Sequence, residues 1–330
     1  MKRNASIRFI VVSLVIVICI IVMVGLFRPN YVRGLLLSEP TPNDLPVMTG
    51  DSNQAPVVST GASVHTLAIA GQKRTYTTYV PPRVTARQTP IDILIVFHGT
   101  GGSGEGIRDV GFDSYTDRGD FIVVYPDSLV RDGVSKWDPT NRQIKDIDFI
   151  KALISEMADF SPSGVGNVYV AGMSNGSVMA QTVGCLIAGI DGVAAVSAGM
   201  GSEMLPYCNL VNPIPYIGFY GTLDRFGEIK KYEASVAHFA QQNGCTDSYT
   251  VTAMPATDPD DGTTVERRIY QASNGQACET PVHYYRIEDG GHFWPGAKNY
   301  REDRLERNTG FVSQDIDATK LIVEFFGLVK

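Results

Sequence analysis

Histidine is scarce in this chain, with five residues in 330, and tryptophan is scarcer still, with two. Any chemistry that needs a proton acceptor near neutral pH is therefore confined to His65, His98, His238, His283 and His292. No Cys-x-x-Cys and no His-x-x-x-His occurs, so a structural zinc is not indicated, and no metal or organic cofactor is expected. The glycine-rich stretch His98 to Gly104 lacks both the Gly-Lys-Ser/Thr ending of a Walker loop and Gly-x-Gly-x-x-Gly spacing, which argues against nucleotide binding. Internal repeats are absent. Acid is absent from the first 33 residues, which carry five basic ones. The remainder has 23 Lys and Arg against 35 Asp and Glu, a net of −12, which argues against a nucleic-acid partner.

What the first residues do have is Phe9 to Phe27, 19 positions without a charge. As a helix this run spans roughly 28 Å, close to a hydrocarbon core. Lys2, Arg3 and Arg8 precede it, which favours a cytoplasmic N-terminus; Arg28 and Arg33 weaken that bias without reversing it. The run is longer than a signal-peptide core, and Val24-Gly25-Leu26-Phe27 is a poor cleavage site. An uncleaved signal-anchor over 1–28 is expected, with the body periplasmic or extracellular; secretion after cleavage is the alternative. Residues 29–60, rich in Pro, Asn, Ser and Thr, read as a flexible linker.

From 61 to 330 the chain reads as one domain. Val64–Ile69 and Arg74–Val80 flank Gly71-Gln72 as an antiparallel hairpin. Apolar strands are expected at Ile91–Phe97, Phe121–Tyr125, Asn167–Ala171, Gly192–Ser197, Tyr216–Tyr220 and Val282–Ile287. Helical periodicity marks Ile144–Phe160, Ser177–Ile190, Lys230–Asn243 and Asp315–Leu328. That alternation predicts an α/β fold, a mostly parallel sheet with helices on both faces. Met254 to Thr264, with three Asp, reads as a solvated loop; it matches no EF-hand. Asp148 reads as a helix-surface carboxylate. Beyond Cys19 there are four cysteines, an even number in an exported chain. Three pairings are possible. The most local, Cys185–Cys208 with Cys245–Cys278, is expected, against the alternative of four buried thiols.

Gly172-Met173-Ser174-Asn175-Gly176 follows the strand Asn167–Ala171 and precedes a helix. Strand, Gly-x-Ser-x-Gly, helix is the context of a nucleophile elbow, where flanking side chains would strike backbone. A serine nucleophile needs a base, an acid to orient it and donors for the oxyanion. Of the three histidines after Ser174, only His292 lies in a loop, within Asp289-Gly290-Gly291-His292-Phe293-Trp294-Pro295-Gly296. Asp224, in Gly221-Thr222-Leu223-Asp224, directly follows the strand Tyr216–Tyr220 and supplies the acid. Backbone N–H groups of Thr100, after the strand Ile91–Phe97, and of Asn175 are the expected oxyanion donors. Trp137 and Trp294 lie in loops near this site, as substrate-stacking faces or as core caps.

Together with Tyr125-Pro126-Asp127, these motifs resemble one α/β-hydrolase esterase family. It holds the extracellular feruloyl and acetylxylan esterases of carbohydrate esterase family one and the short-chain polyhydroxyalkanoate depolymerases. The match runs from about Ser63 to the C-terminus. It implies an α/β-hydrolase fold without a large lid, a Ser174–His292–Asp224 triad, the two local disulfides and a shallow site. A serine carboxylesterase acting on feruloyl or acetyl polysaccharide esters, or on hydroxyalkanoate esters, is the expectation, with no obligate protein partner. A serine peptidase or an acyltransferase with the same triad is the enzymatic alternative, and a non-catalytic surface binding protein the alternative from another class. Ser177, Tyr220 and Phe293 depart from the family pattern, which usually has Gly or Ala, His and Thr there. All three lie beside the triad, so substrate choice is where this chain is expected to differ.

Overall fold

The computed structural model describes residues 60–84, 89–140, 145–160, 163–298 and 310–329. The chain divides into two units, residues 1–50 and 51–330, and every described residue belongs to the second. The expected transmembrane segment lies outside the described residues, as does the linker apart from Thr60. Among the described residues no helix is long and apolar enough to cross a membrane.

β1 (Gly61–Ile69) and β2 (Gln72–Val80) form the hairpin the sequence predicts. Ala70 and Gly71 close it, both at positive φ (47° and 76°), the twist that a two-residue hairpin turn requires. β3 (Ile91–Phe97) and β4 (Phe121–Pro126) are almost wholly apolar. A small separate hairpin, β5 (Val130–Arg131) with β6 (Val134–Ser135), comes next. Then follow α1 (Lys145–Met157), β7 (Val165–Met173), α2 (Asn175–Leu186), β8 (Gly192–Val196), β9 (Tyr216–Gly221) and α3 (Ile229–Gln242). β10 (Tyr249–Ala253), β11 (Thr264–Tyr270), β12 (Val282–Glu288) and α4 (Ala318–Phe325) complete the chain.

Among the described residues ten strands make one sheet in the order β1-β2-β4-β3-β7-β8-β9-β12-β11-β10. The six central strands from β4 to β12 run parallel. The two strands at each edge are antiparallel additions. Side chains alternate between faces with the two-residue strand period, and each face builds its own core. Ile93, Ile95, Val168, Val170, Val193 and Ala195 join α1, α2 and α3 on one side. Leu94, Val96, Tyr169, Ala171, Ala194 and Val196 join α4 on the other. A parallel sheet covered on both faces is the predicted architecture.

Because β7, β8, β9 and β12 are parallel neighbours, the loops leaving their C-terminal ends gather at one edge of the sheet. In open α/β sheets that edge is where ligands bind. The disulfides follow the most local pairing: Cys185–Cys208 and Cys245–Cys278 are bonded.

Candidate active site

Ser174 is the residue between β7 and α2. Its backbone has φ 57° and ψ −124°, a conformation rare for any residue with a side chain. Strain of this kind persists only where surroundings over-determine it, and here they do. The Ser174 N–H donates to Val196 O (2.9 Å), and the Ser174 carbonyl accepts from the Ser177 and Val178 N–H groups. A methyl on Gly172 would lie 2.2 Å from Gly176 O, and one on Gly176 would lie 2.2 Å from Phe97 O. Both glycines are thus required by close backbone approach. The Ser174 hydroxyl does not cap the helix it begins.

Asp224 lies three residues beyond β9, and His292 four beyond β12. Their loops are stitched together: Leu223 N–H donates to Gly290 O and Thr222 N–H to Ile287 O, both at 2.9 Å. His292 Nδ1 donates to Asp224 Oδ2 at 2.7 Å, and Asp224 Oδ1 accepts the Phe226 N–H at 2.9 Å. The carboxylate side chain is buried. Ser174 and His292 line one cavity of about 430 Å³, with Ser197, Tyr220, Arg225 and Lys231 among the other walls. The structure therefore brings together the three residues that the motifs single out.

The glycine-rich loop after β3 packs on the elbow. A methyl on Gly99 would come within 3.2 Å of Ser174 Cβ and 3.8 Å of its Oγ. The N–H groups of Gly101 and Gly102 are spent on Ser135 O and Gly99 O. Those of Thr100 and Asn175 have no backbone partner among the described residues, as oxyanion donors require. His98 fixes this loop from beneath. It is buried, donates Nδ1–H to Gly99 O (2.7 Å) and accepts the Ser128 N–H at Nε2 (3.0 Å). A ring that accepts at one nitrogen and donates at the other is neutral, and burial lowers its pKa accordingly.

Neither tryptophan serves as a stacking face, which corrects that expectation. Trp137 is 2% exposed and Trp294 0%. Trp137 donates its indole N–H to His98 O (3.0 Å) and its backbone N–H to Asn175 Oδ1 (2.7 Å), so it clamps the oxyanion loop to the elbow. Trp294 donates to Thr319 Oγ1 (2.9 Å) and packs edge-on against Phe112. Both fill the core because their single N–H groups find internal acceptors.

Several residues at the site went unassigned in the sequence. Ser197, after β8, has φ 58° and donates to Phe293 O at 3.0 Å, beside His292. Buried Ser177 donates to Ala198 O (2.6 Å), and Gln181 Nε2 donates to the same carbonyl (2.9 Å). Arg225 and Phe226 follow the acid directly, and the Phe226 ring meets His292 edge-on at 5.0 Å. Adjacency to Asp224 was the available signal for the last two. A second cavity, of about 590 Å³ beside His238, lies elsewhere. Its histidine is engaged by Cys208 O at 2.7 Å, and its walls hold no serine for that base to activate.

No protein-family profile matches the chain. It is 24% identical over 275 residues to a protein of Nocardia uniformis subsp. tsuyamanensis named "Putative esterase NocK", covering 73% of this chain and 76% of that one. The acetyl xylan esterase from Aspergillus awamori superposes with a TM-score of 0.53 at 15% identity, over 81% of this chain and 100% of that one. Likeness at that level establishes the α/β-hydrolase fold. The chain is thus similar over most of its length to a protein named as an esterase and shares the α/β-hydrolase fold of the acetyl xylan esterase.

Proposed function

We propose that the chain hydrolyses carboxylic esters through an acyl-enzyme on Ser174. One observation carries the reading: His292, bound to Asp224 at 2.7 Å, lines the same cavity as a serine held in the strained elbow conformation. Ser174 Oγ attacks the ester carbonyl as His292 Nε2, the ring nitrogen not bound to Asp224, takes the hydroxyl proton. Asp224 holds the tautomer with Nδ1–H and stabilises the imidazolium that forms. The N–H groups of Thr100 and Asn175 stabilise the tetrahedral oxyanion. The alcohol leaves with the proton from His292. Water then repeats the sequence on the acyl-serine, and acid and alcohol are the products.

Within ester hydrolysis the finer reading is acetyl or feruloyl polysaccharide esters, or hydroxyalkanoate esters. The motif resemblance supports these classes, and the fold neighbour from Aspergillus awamori is an acetyl xylan esterase. The enzyme is proposed to be anchored by residues 1–28 with its catalytic body outside the cytoplasm. A mature N-terminus near residue 28 by mass spectrometry would refute the anchor.

The test is hydrolysis of p-nitrophenyl acetate and butyrate by the full-length protein beside Ser174→Ala and Asp224→Asn. Ser174→Ala should lose roughly 10⁴–10⁶ in kcat, and Asp224→Asn about 10⁴, through the wrong histidine tautomer. Equal activity in wild type and Ser174→Ala would sink the assignment. Methyl ferulate, acetylated xylan and 3-hydroxybutyrate oligomers then separate the substrate classes.

A further inference from the structure

Arg225 follows Asp224 directly and lines the cavity that holds Ser174 and His292. Its guanidinium carbon stands 5.3 Å from the centroid of the exposed Phe226 ring. Among the described residues no carboxylate pairs with it. The other charges in the cavity wall are already matched. Lys231 Nζ is 3.1 Å from Glu228 Oε1, and Asp224, beneath the wall, is bound to His292. The site therefore presents one cation without a counter-ion, in a body whose net charge is −12.

A different residue points the same way. Tyr220 is the next-to-last residue of β9. It is 1% exposed, lines the same cavity, and its hydroxyl has no hydrogen-bond partner among the described residues. Its ring is held by stacking on Tyr232, with centroids 4.6 Å apart. A methyl on Gly227 would lie 3.2 Å from the hydroxyl, so the oxygen sits against the Arg225–Glu228 turn. Burial raises the phenol's pKa, which keeps it a protonated donor. Buried donors without an acceptor are rare in folded proteins, and this one lies covered just behind the Arg225–Glu228 turn, where a ligand's acceptor reaches it when that turn shifts.

We infer that the ester this site takes carries a second, ionised carboxylate, recognised by the Arg225 guanidinium with the Tyr220 hydroxyl as a further donor at the same wall. This inference rests on ester hydrolysis at Ser174. A guanidinium fork matches a carboxylate with two parallel N–H···O bonds. One unmatched cation balances one negative charge. A phosphate dianion would call on Lys231 as well, and Glu228 already holds it. Neutral acetyl esters would leave Arg225 without a role in binding.

The experiment compares two pairs of esters on the full-length protein: p-nitrophenyl butyrate with mono-p-nitrophenyl glutarate, and phenyl butyrate with 4-butyryloxybenzoate. The first pair adds a carboxylate on the acyl side, the second on the alcohol side. In at least one pair the carboxylated ester should have a kcat/KM tenfold or more above its neutral partner, and the gap should narrow at 0.5 M NaCl. Arg225→Gln should lower that selectivity ratio at least tenfold, Arg225→Glu should reverse it, and Tyr220→Phe should lower it severalfold. Thermal melts establish that the variants are folded. Hydrolysis of the neutral esters with no carboxylate preference in either pair, or a ratio untouched by Arg225→Gln, overturns the inference alone. No hydrolysis of any of the four esters, or equal hydrolysis by Ser174→Ala, overturns the ester reading as well.

Discussion

At the scale of single residues, Ser177 shows how a polar side chain buried beside the elbow acquires a physical meaning. It is 0% exposed in the first turn of α2, and its hydroxyl donates to Ala198 O, a carbonyl in the cavity wall. Gln181, one turn on, donates to the same oxygen. A carbonyl with two lone pairs accepts both, so each donor backs up the other. Ser177→Ala and Gln181→Leu should each cost about 1 kcal/mol or less, read as a small drop in Tm. The double variant leaves the carbonyl without a donor and should cost roughly 1–3 kcal/mol beyond the sum of the two. Additive melting shifts would show that the pair is not coupled. Ser174, Asp224 and His292 were legible in the sequence because motif, strand context and chain order each narrowed the choice independently. The Ser177–Gln181 pair was not. Hydrogen bonds to a carbonyl 21 residues away leave no local pattern, and two polar residues four apart on a helix read as a solvated face. The tryptophans misled for a related reason: loops near a site look exposed in sequence, while an indole buries itself wherever its N–H finds an acceptor.

Among elements, the central strands and the four longer helices lie where hydrophobic period placed them, with ends shifted by a few residues. The helix expected over Ser177–Ile190 spans Asn175–Leu186, because Ile187 is already extended and Gly189 turns left-handed at φ 83°. β10 and β11 went unread. Glu266, Arg267 and Arg268 interrupt the apolar signal, since an antiparallel addition at the sheet's edge needs no apolar run on both faces. Arg268 instead lies over the Tyr249 and Tyr284 rings, at 4.9 and 5.4 Å, and binds Glu266 and Glu233. The disulfides act at this same scale. Cys185–Cys208 ties the last turn of α2 to the segment after β8, closing 23 residues. Cys245–Cys278 ties the end of α3 to the segment after β11, closing 33. Closing loops of that length restricts the unfolded chain by about 3–4 kcal/mol each. Cys185→Ala with Cys208→Ala should therefore lower Tm by roughly 6–15 °C in a domain of this size. An unchanged melting temperature, or wild-type mobility unaffected by reductant, would remove the bridges from the stability of the fold.

For the whole molecule, three of the five histidines are built in as neutral groups, and that sets how the fold responds to acid. His98 is held by Gly99 O and the Ser128 N–H beneath the oxyanion loop. His65 stacks on Tyr76 at 5.0 Å, and burial lowers its pKa although Glu156 opposes the shift. His283, in β12, packs on Phe325 at 4.8 Å; burial first and Arg267 second push its pKa down to about 4. Burial likewise lowers His98. In the unfolded chain each would titrate near 6.5. Between that value and its lower folded one, the unfolded state binds more protons than the native state, so stability rises with pH through the window. Their contribution is fully present above about pH 6.5 and is lost as pH falls through the folded values. Thermal denaturation should therefore show Tm level near pH 7 and falling between pH 6.5 and 4. His283→Gln cannot take up a proton at that position, so it should flatten the most acidic part of the fall while leaving the part due to His98 and His65. The same Tm slope between pH 5 and 4 in variant and wild type would mean that His283 is not the group being titrated there. His98 lies against the oxyanion loop, so its protonation would also cost it the Ser128 N–H bond at Nε2.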